Sequence, residues 1–239
     1  MSLEDRPDVS DDLNEIQIAA NRAKDLVAQI LTFSRKDTPS MESVSPGSIL
    51  TEAIRLMRAT LAKTIRIDSH IDDHLPKILA SPTHLHQITM NLCTNAVQAL
   101  PEEKGTITVS ATTVEIADPE ASGLSGLNPG SHVRLTFADD GVGMDKETAD
   151  RIFDPFFTTK TRGRGTGLGL SVVVGIVRSL QGAIRVSSQP GKGTTFSLYF
   201  PALTTEEPEA PSVTSSLPIG SGESVLIVED ERPLAFALA

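Results

Sequence analysis

Apolar or small residues recur at Leu13, Ile16, Ala20, Ala23, Val27 and Ile30, in alternating steps of three and four, with Leu26, Leu31 and Phe33 beside them. This heptad-like stripe predicts one long helix that packs on another helix, in this chain or in a partner. Ser10, Asp11 and Asp12 provide its start, with acids at the positive end of the helix dipole. Thr38-Pro39 disfavours continuation past Lys36. A second helical period runs from Ser48 to Leu61, and Thr64 to Asp68 then reads as a strand. Ser81-Pro82 opens a third helix, which Pro101 ends. Alternation predicts strands over 106–110 and 132–137, separated by a Gly-, Ser- and Pro-rich surface loop from Asp118 to Gly130. A helix follows over 168–180. The strands at 183–187 and 194–200 close as a hairpin through Pro190-Gly191-Lys192-Gly193. From Thr204 to Gly222 the chain turns to Glu, Pro, Ser, Thr and Gly, a linker too poor in apolar residues to fold. A short apolar strand, Ser224 to Val228, then ends in Glu229-Asp230-Glu231.

Composition narrows the function classes. The chain has 239 residues, 39% hydrophobic and 22% charged, enough apolar material for a core. A formal net charge of -10 argues against nucleic acid as a partner, although a local basic cluster could still meet phosphates. Cys93 stands alone, which excludes an internal disulfide or a four-cysteine zinc site and fits a reducing compartment. No run approaches the ~20 apolar residues of a membrane span, and the start lacks the regions of a signal peptide. The expectation is a cytoplasmic piece of a protein whose membrane anchoring stays open.

Three segments carry candidate chemistry. On the third helix, Gln87, Asn91, Asn95 and Gln98 fall at spacings of four, four and three, one polar stripe on a mostly apolar helix. A merely solvated face would more often use Glu and Lys; side-chain carbonyls suit a hard cation such as Mg²⁺. Next, Asp139-Asp140-Gly141-Val142-Gly143 follows a strand, placing an acid beside glycines that let backbone approach a flat ligand. Asp-Gly pairs are also common turns. Last, Gly163-Arg164-Gly165-Thr166-Gly167-Leu168-Gly169-Leu170 opens a helix whose first amides could cradle phosphate, with Lys160 and Arg164 nearby. It matches neither a Walker loop nor a dinucleotide fingerprint.

In this order the segments resemble the N, G1, F and G2 boxes of the sensor histidine kinase ATP-binding domain, of the wider GHKL superfamily. The boxes are Asn91 to Asn95, Asp139 to Gly143, Phe153-Asp154-Pro155-Phe156-Phe157, and Gly165 to Gly169. The wording is similar to the nitrogen-regulation class and related hybrid kinases. The helix ending Leu31-Thr32-Phe33-Ser34-Arg35 resembles the second helix of a dimerisation and phosphotransfer hairpin, and Val225 to Glu231 the first strand of a receiver domain. The organisation implied is a partial hairpin over 1–40, an ATP-binding catalytic domain over 41–203, a linker over 204–222 and a truncated receiver over 223–239. The fold implied is a two-layer α/β sandwich of the Bergerat type, a mixed sheet covered by helices, preceded by one long helix.

The resemblance implies roles residue by residue. Asn95 is the Mg²⁺ ligand, and Asn91 supports metal and phosphates. Asp139 accepts from the adenine amino group, helped by Gly141, Gly143 and Thr194. Lys160, Arg164, Gly165, Thr166 and the backbone from Gly167 through Leu168 and Gly169 to Leu170 hold phosphates, under a lid running from Phe153 to Gly165. Asn91, Asn95 and Lys160 are the expected catalytic set, ATP and Mg²⁺ the cofactors. The expected partners are an acceptor-histidine hairpin, a response-regulator receiver and a second copy of the full-length parent.

One part of the pattern is missing. None of His70, His74, His84, His86 and His132 precedes the first helix or is followed by an acid, so the usual phosphoacceptor is absent. The chain therefore reads as a section of a longer kinase that cannot phosphorylate itself on that site. Two other readings stay open: an ATPase of the same superfamily, and a nucleotide-binding or dimerisation module without turnover. Related ATPases generally carry glutamate at the position of Asn91, whereas an asparagine takes no proton from water.

Overall fold

The computed structural model describes residues 40–124, 126–159 and 166–203; the long helix expected at 13–36, the linker and the receiver-like strand fall outside them. A short ribbon opens the domain: β1 (Glu42–Val44) pairs antiparallel with β3 (Ile78–Ala80). Between them come α1 (Pro46–Thr60) and β2 (Ile65–Ile71). Then follow α2 (Pro82–Ala99), a single 3₁₀ turn, β4 (Gly105–Ile116), β5 (Gly130–Asp139), α3 (Lys146–Arg151), α4 (Gly169–Ser179), β6 (Ala183–Gln189) and β7 (Gly193–Pro201).

The main sheet runs β2-β4-β5-β7-β6, with β2 parallel to β4 and every other pair antiparallel. Its mixed character and its one-sided cover by helices match the expected sandwich. Strand alternation sends Ile107, Val109, Ala111, Val133, Leu135, Phe137, Phe196, Leu198 and Phe200 to one face, where all are buried. That face meets Leu85, Ile88, Leu92 and Cys93 of α2 and Val173, Ile176 and Val177 of α4. Each such aliphatic side chain contributes about 1.5–3 kcal/mol by leaving water. Helix α1 brings Leu50, Ile54 and Met57 to the same core.

The opposite face of the sheet is largely polar, with Thr108, Ser110, Thr112, Thr136 and Ser197 in register across β4, β5 and β7. Part of it is covered. The segment read as a plain surface loop folds back so that Leu124 and Leu127 bury against Ile116 and Tyr199. Its two leucines find an apolar corner that alternation along the flanking strands had left uncovered.

Two details depart from the sequence reading. Ser81 stands at the N-cap of α2 with Pro82 next, yet its hydroxyl makes no capping bond and the residue is buried. Helix α3 and the ribbon strands were not expected; each is six residues or fewer, below the length at which periodicity shows. The chain comes back to the ribbon at its end: Ala202 bridges Ile78, and the Leu203 amide donates to Lys77 O at 2.8 Å.

Candidate functional site

Those predicted residues that the structure describes gather around α2 and its C-terminal end. Asn91 and Asn95, one turn apart on that helix and both half-buried, face the first turn of α4. A Cβ on Gly169 would stand 3.5 Å from Asn91 Oδ1 and 3.9 Å from Asn95 Nδ2. Glycine at this position leaves room directly above the two carboxamides. Gln87 is half-buried on the same stripe, and Gln98 is exposed.

Helix α4 starts without a side-chain cap, because Leu168 occupies the N-cap position. Its first amides are therefore open to a ligand, and an anion there meets the positive end of the dipole. The approach is shaped by Thr166, whose hydroxyl accepts from the Leu168 amide at 3.3 Å, and by Gly167. Gly167 has φ of 67°, and a side chain there would collide with the backbone of Phe156. The Phe156 amide in turn donates to Gly167 O at 3.0 Å, which joins the F-box segment to the root of α4. Lys160, Arg164 and Gly165 lie outside the described residues, as does most of the second half of the expected lid.

Within the F-box segment the three phenylalanines divide. Phe153 meets Phe196 edge-on with ring centroids 6.5 Å apart, and Phe157 packs on the core beneath the guanidinium of Arg151, 4.5 Å from its ring. Phe156 points out, 73% exposed and at φ 67°, a costly conformation for a residue with a Cβ.

Asp139 ends β5 and leads into a loop that meets the C-terminal end of α2. Its Oδ1 accepts from the Gly141 amide at 2.9 Å. Burial holds this carboxyl above the ordinary carboxylate range, while bonds from the Gly141 and Thr194 backbones pull the other way. An anion kept in a half-dry place has oxygen lone pairs to spare, which suits a donor on a ligand. Asp140 turns away and accepts from the Thr106 amide at 2.8 Å.

The loop after Asp139 is sewn to its neighbours. The Val142 amide donates to Ala99 O at the end of α2, and Gly191 donates to Val142 O at 2.7 Å. Gly143 has φ of 64°, and a Cβ there would strike Gln189 O; one on Gly193 would strike Asp139 O. Thr194 is buried opposite Asp139 in the β5–β7 register. Sequence reasoning missed Ser188, which bonds to this loop and to Thr194. A serine in an alternating strand carries no local signal of such a role.

The five histidines are scattered. His70 and His74 are exposed, and His132 is buried, with one ring nitrogen 2.9 Å from Gly130 O. His86 lies 3.8 Å from Glu52, and burial lowers the pKa of His84. A separate cavity of about 560 Å³, bordered by Thr51, Glu52, Arg55 and Asp72 at the start of α1, contains none of the predicted site residues. No helix among the described residues is long and apolar enough to cross a membrane.

Comparison with known proteins places the fold in a family. Residues 80–204 match the family described as histidine kinase-, DNA gyrase B- and HSP90-like ATPases. The sensor kinase CckA of Brucella abortus is 35% identical over 92% of this chain, and the sensor histidine kinase ZraS of Escherichia coli K12 is 32% identical over 80%. This chain spans 24% and 37% of those two proteins. Among solved structures, full-length ShkA in complex with AMPPNP superposes with a TM-score of 0.62 at 26% identity, covering 84% of this chain and 40% of ShkA. The match over residues 80–204 and the relatives that share most of its length show that the chain belongs to the histidine kinase-, DNA gyrase B- and HSP90-like ATPase family.

Proposed function

We propose that this chain is the ATP-binding catalytic part of a two-component sensor histidine kinase, passing the γ-phosphoryl group of ATP to a histidine on another segment. The observation that carries the reading is the facing pair: Asn91 and Asn95 on α2 against the uncapped first turn of α4. The base would lie beside Asp139 and the phosphates at the first turn of α4. Asp139 accepts from the adenine amine, with Gly141 and Gly143 letting the loop backbone pass close and Thr194 beside it. The amides from Gly167 to Leu170, with Thr166, Gly165, Lys160 and Arg164, hold the phosphates.

The donor set suits Mg²⁺. A carboxamide oxygen is a hard ligand, and this ion commonly takes one or two protein ligands, completing its shell with phosphate oxygens and water. Asn95 would hold it, with Asn91 in support; bound there, it would neutralise phosphate charge. Among the described residues no cluster of three His, Cys, Asp or Glu offers a rival metal site. Phosphoryl transfer asks little covalent chemistry of the protein, so alignment and charge neutralisation are the tasks of these residues. Asparagine at position 91 supplies no base for water, which favours transfer over hydrolysis.

The remaining assignments follow the same reading: residues 1–40 as one helix of a phosphotransfer hairpin, 41–203 as the catalytic domain, 204–222 as linker and 223–239 as the start of a receiver. The whole protein would act as a homodimer in the cytoplasm, meeting a response regulator. The first test is a calorimetric titration with Mg-ADP. Saturable 1:1 binding lost in Asp139→Ala supports the pocket; no binding by folded wild-type protein refutes it. Labelled ATP supplied with a separate acceptor hairpin then distinguishes a kinase from a binding module, since only the kinase labels the hairpin.

A further inference from the structure

Ser188 sits on β6 in one row with Thr194 and Asp139, across three neighbouring strands and on the helix-facing side. Its Oγ makes three contacts: 2.8 Å to the Met144 amide nitrogen, 3.1 Å to Gly193 O and 2.9 Å to Thr194 Oγ1. A hydroxyl has one proton to give and two lone pairs to receive. The Met144 amide can only donate, and the Gly193 carbonyl can only accept. The single Ser188 proton therefore goes to Gly193 O. The third contact is then a bond from the Thr194 hydroxyl into the remaining lone pair of Ser188. Any other arrangement leaves Gly193 O without this bond or splits one proton between two acceptors.

This has a consequence for the nucleotide reading, on which the inference rests. With its proton turned to Ser188, Thr194 offers only lone pairs elsewhere, and ionised Asp139 offers only lone pairs too. We propose that Ser188 is a positioning residue that orients the Thr194 hydroxyl proton, so that the Asp139–Thr194 pair presents acceptors alone and selects a purine with an exocyclic amine over one with a 6-oxo group. A 6-oxo purine would set its oxygen against acceptors that cannot give it a proton. Buried mismatches of that kind discriminate more strongly than shape does. Without Ser188, the Thr194 hydroxyl is free to turn and donate to the oxo group.

The test compares affinities for ADP and inosine diphosphate, both with Mg²⁺, by calorimetry on the full chain. Wild type prefers ADP. Ser188→Ala lowers the ADP-to-inosine-diphosphate preference by at least about fivefold, and Ser188→Thr, which keeps a hydroxyl, restores it. Thr194→Val, which leaves Ser188 holding Met144 and Gly193, lowers the same preference even if Ser188→Ala proves too unstable to titrate. The double variant falls no further than either single one. Equal weakening of both ligands in Ser188→Ala and Thr194→Val, or an unchanged ratio, overturns the role of Ser188 while leaving the nucleotide pocket standing. Wild-type protein that binds neither ligand overturns the pocket and this inference together.

Discussion

At the scale of single residues, Asp139 combines a cost with a use. A carboxylate whose pKa is raised by burial is bound to its proton more tightly in the folded than in the unfolded chain. Folding stability through this group is therefore greatest at low pH and falls as pH rises from the ordinary aspartate range through the raised value. Ligand binding, which needs the ionised form, runs the other way. Affinity for Mg-ADP should drop on acidification at a pH above that at which an ordinary aspartate protonates, as calorimetry in a pH series would reveal. Asp139→Asn should lose at least about tenfold in affinity while its thermal midpoint at neutral pH holds or rises. A fall in both would mean that the carboxylate is structural. Cys93 poses the opposite case: burial pushes its thiol up to about 12, and it packs in the core. A thiol reagent should leave it untouched in native protein and label it at once in denaturant.

Among elements, α2 joins core and site, because its apolar face and its amide stripe come from one helical period. Leu92→Ala, at the centre of the buried face, should destabilise by about 2–5 kcal/mol in denaturant titration. The turn between β6 and β7 is as demanding: Gly193→Ala meets both a positive φ of 86° and the carbonyl of Asp139, so a loss above about 2 kcal/mol is expected, with nucleotide affinity falling alongside. The sequence made α2, β4, β5, α4 and the β6–β7 hairpin legible, since each is long enough for its period to repeat. It also marked Asn91, Asn95, Asp139 and the glycines, which are costly unless a ligand or a close backbone approach explains them. Ribbon strands of three residues and the six-residue α3 are too short to show a period. The partnership of Ser188 with Met144 joins residues 44 apart in sequence. Only the folded sheet brings them together.

For the molecule as a whole, what adjoins the domain matters as much as the domain. The described chain begins beside β1 and ends at Leu203, and both strands of contact run to β3 through Val44–Ile78 and Ile78–Ala202. Thr194 lies at the other end of β7 from Ala202, eight residues away by position, or about 27 Å at the rise of an extended strand. Mechanically, the two ends of the domain meet at β3. A pull between residues 40 and 203 would load the three-residue ribbon, the Ala202 bridge and the Leu203–Lys77 bond together with the hydrogen bond from the Ala202 amide to Ser131 at the edge of β5. Force arriving at residue 203 enters the five-stranded sheet at Pro201, where β7 pairs with His132 of β5, so the end of β7 remote from Thr194 would take the strain first.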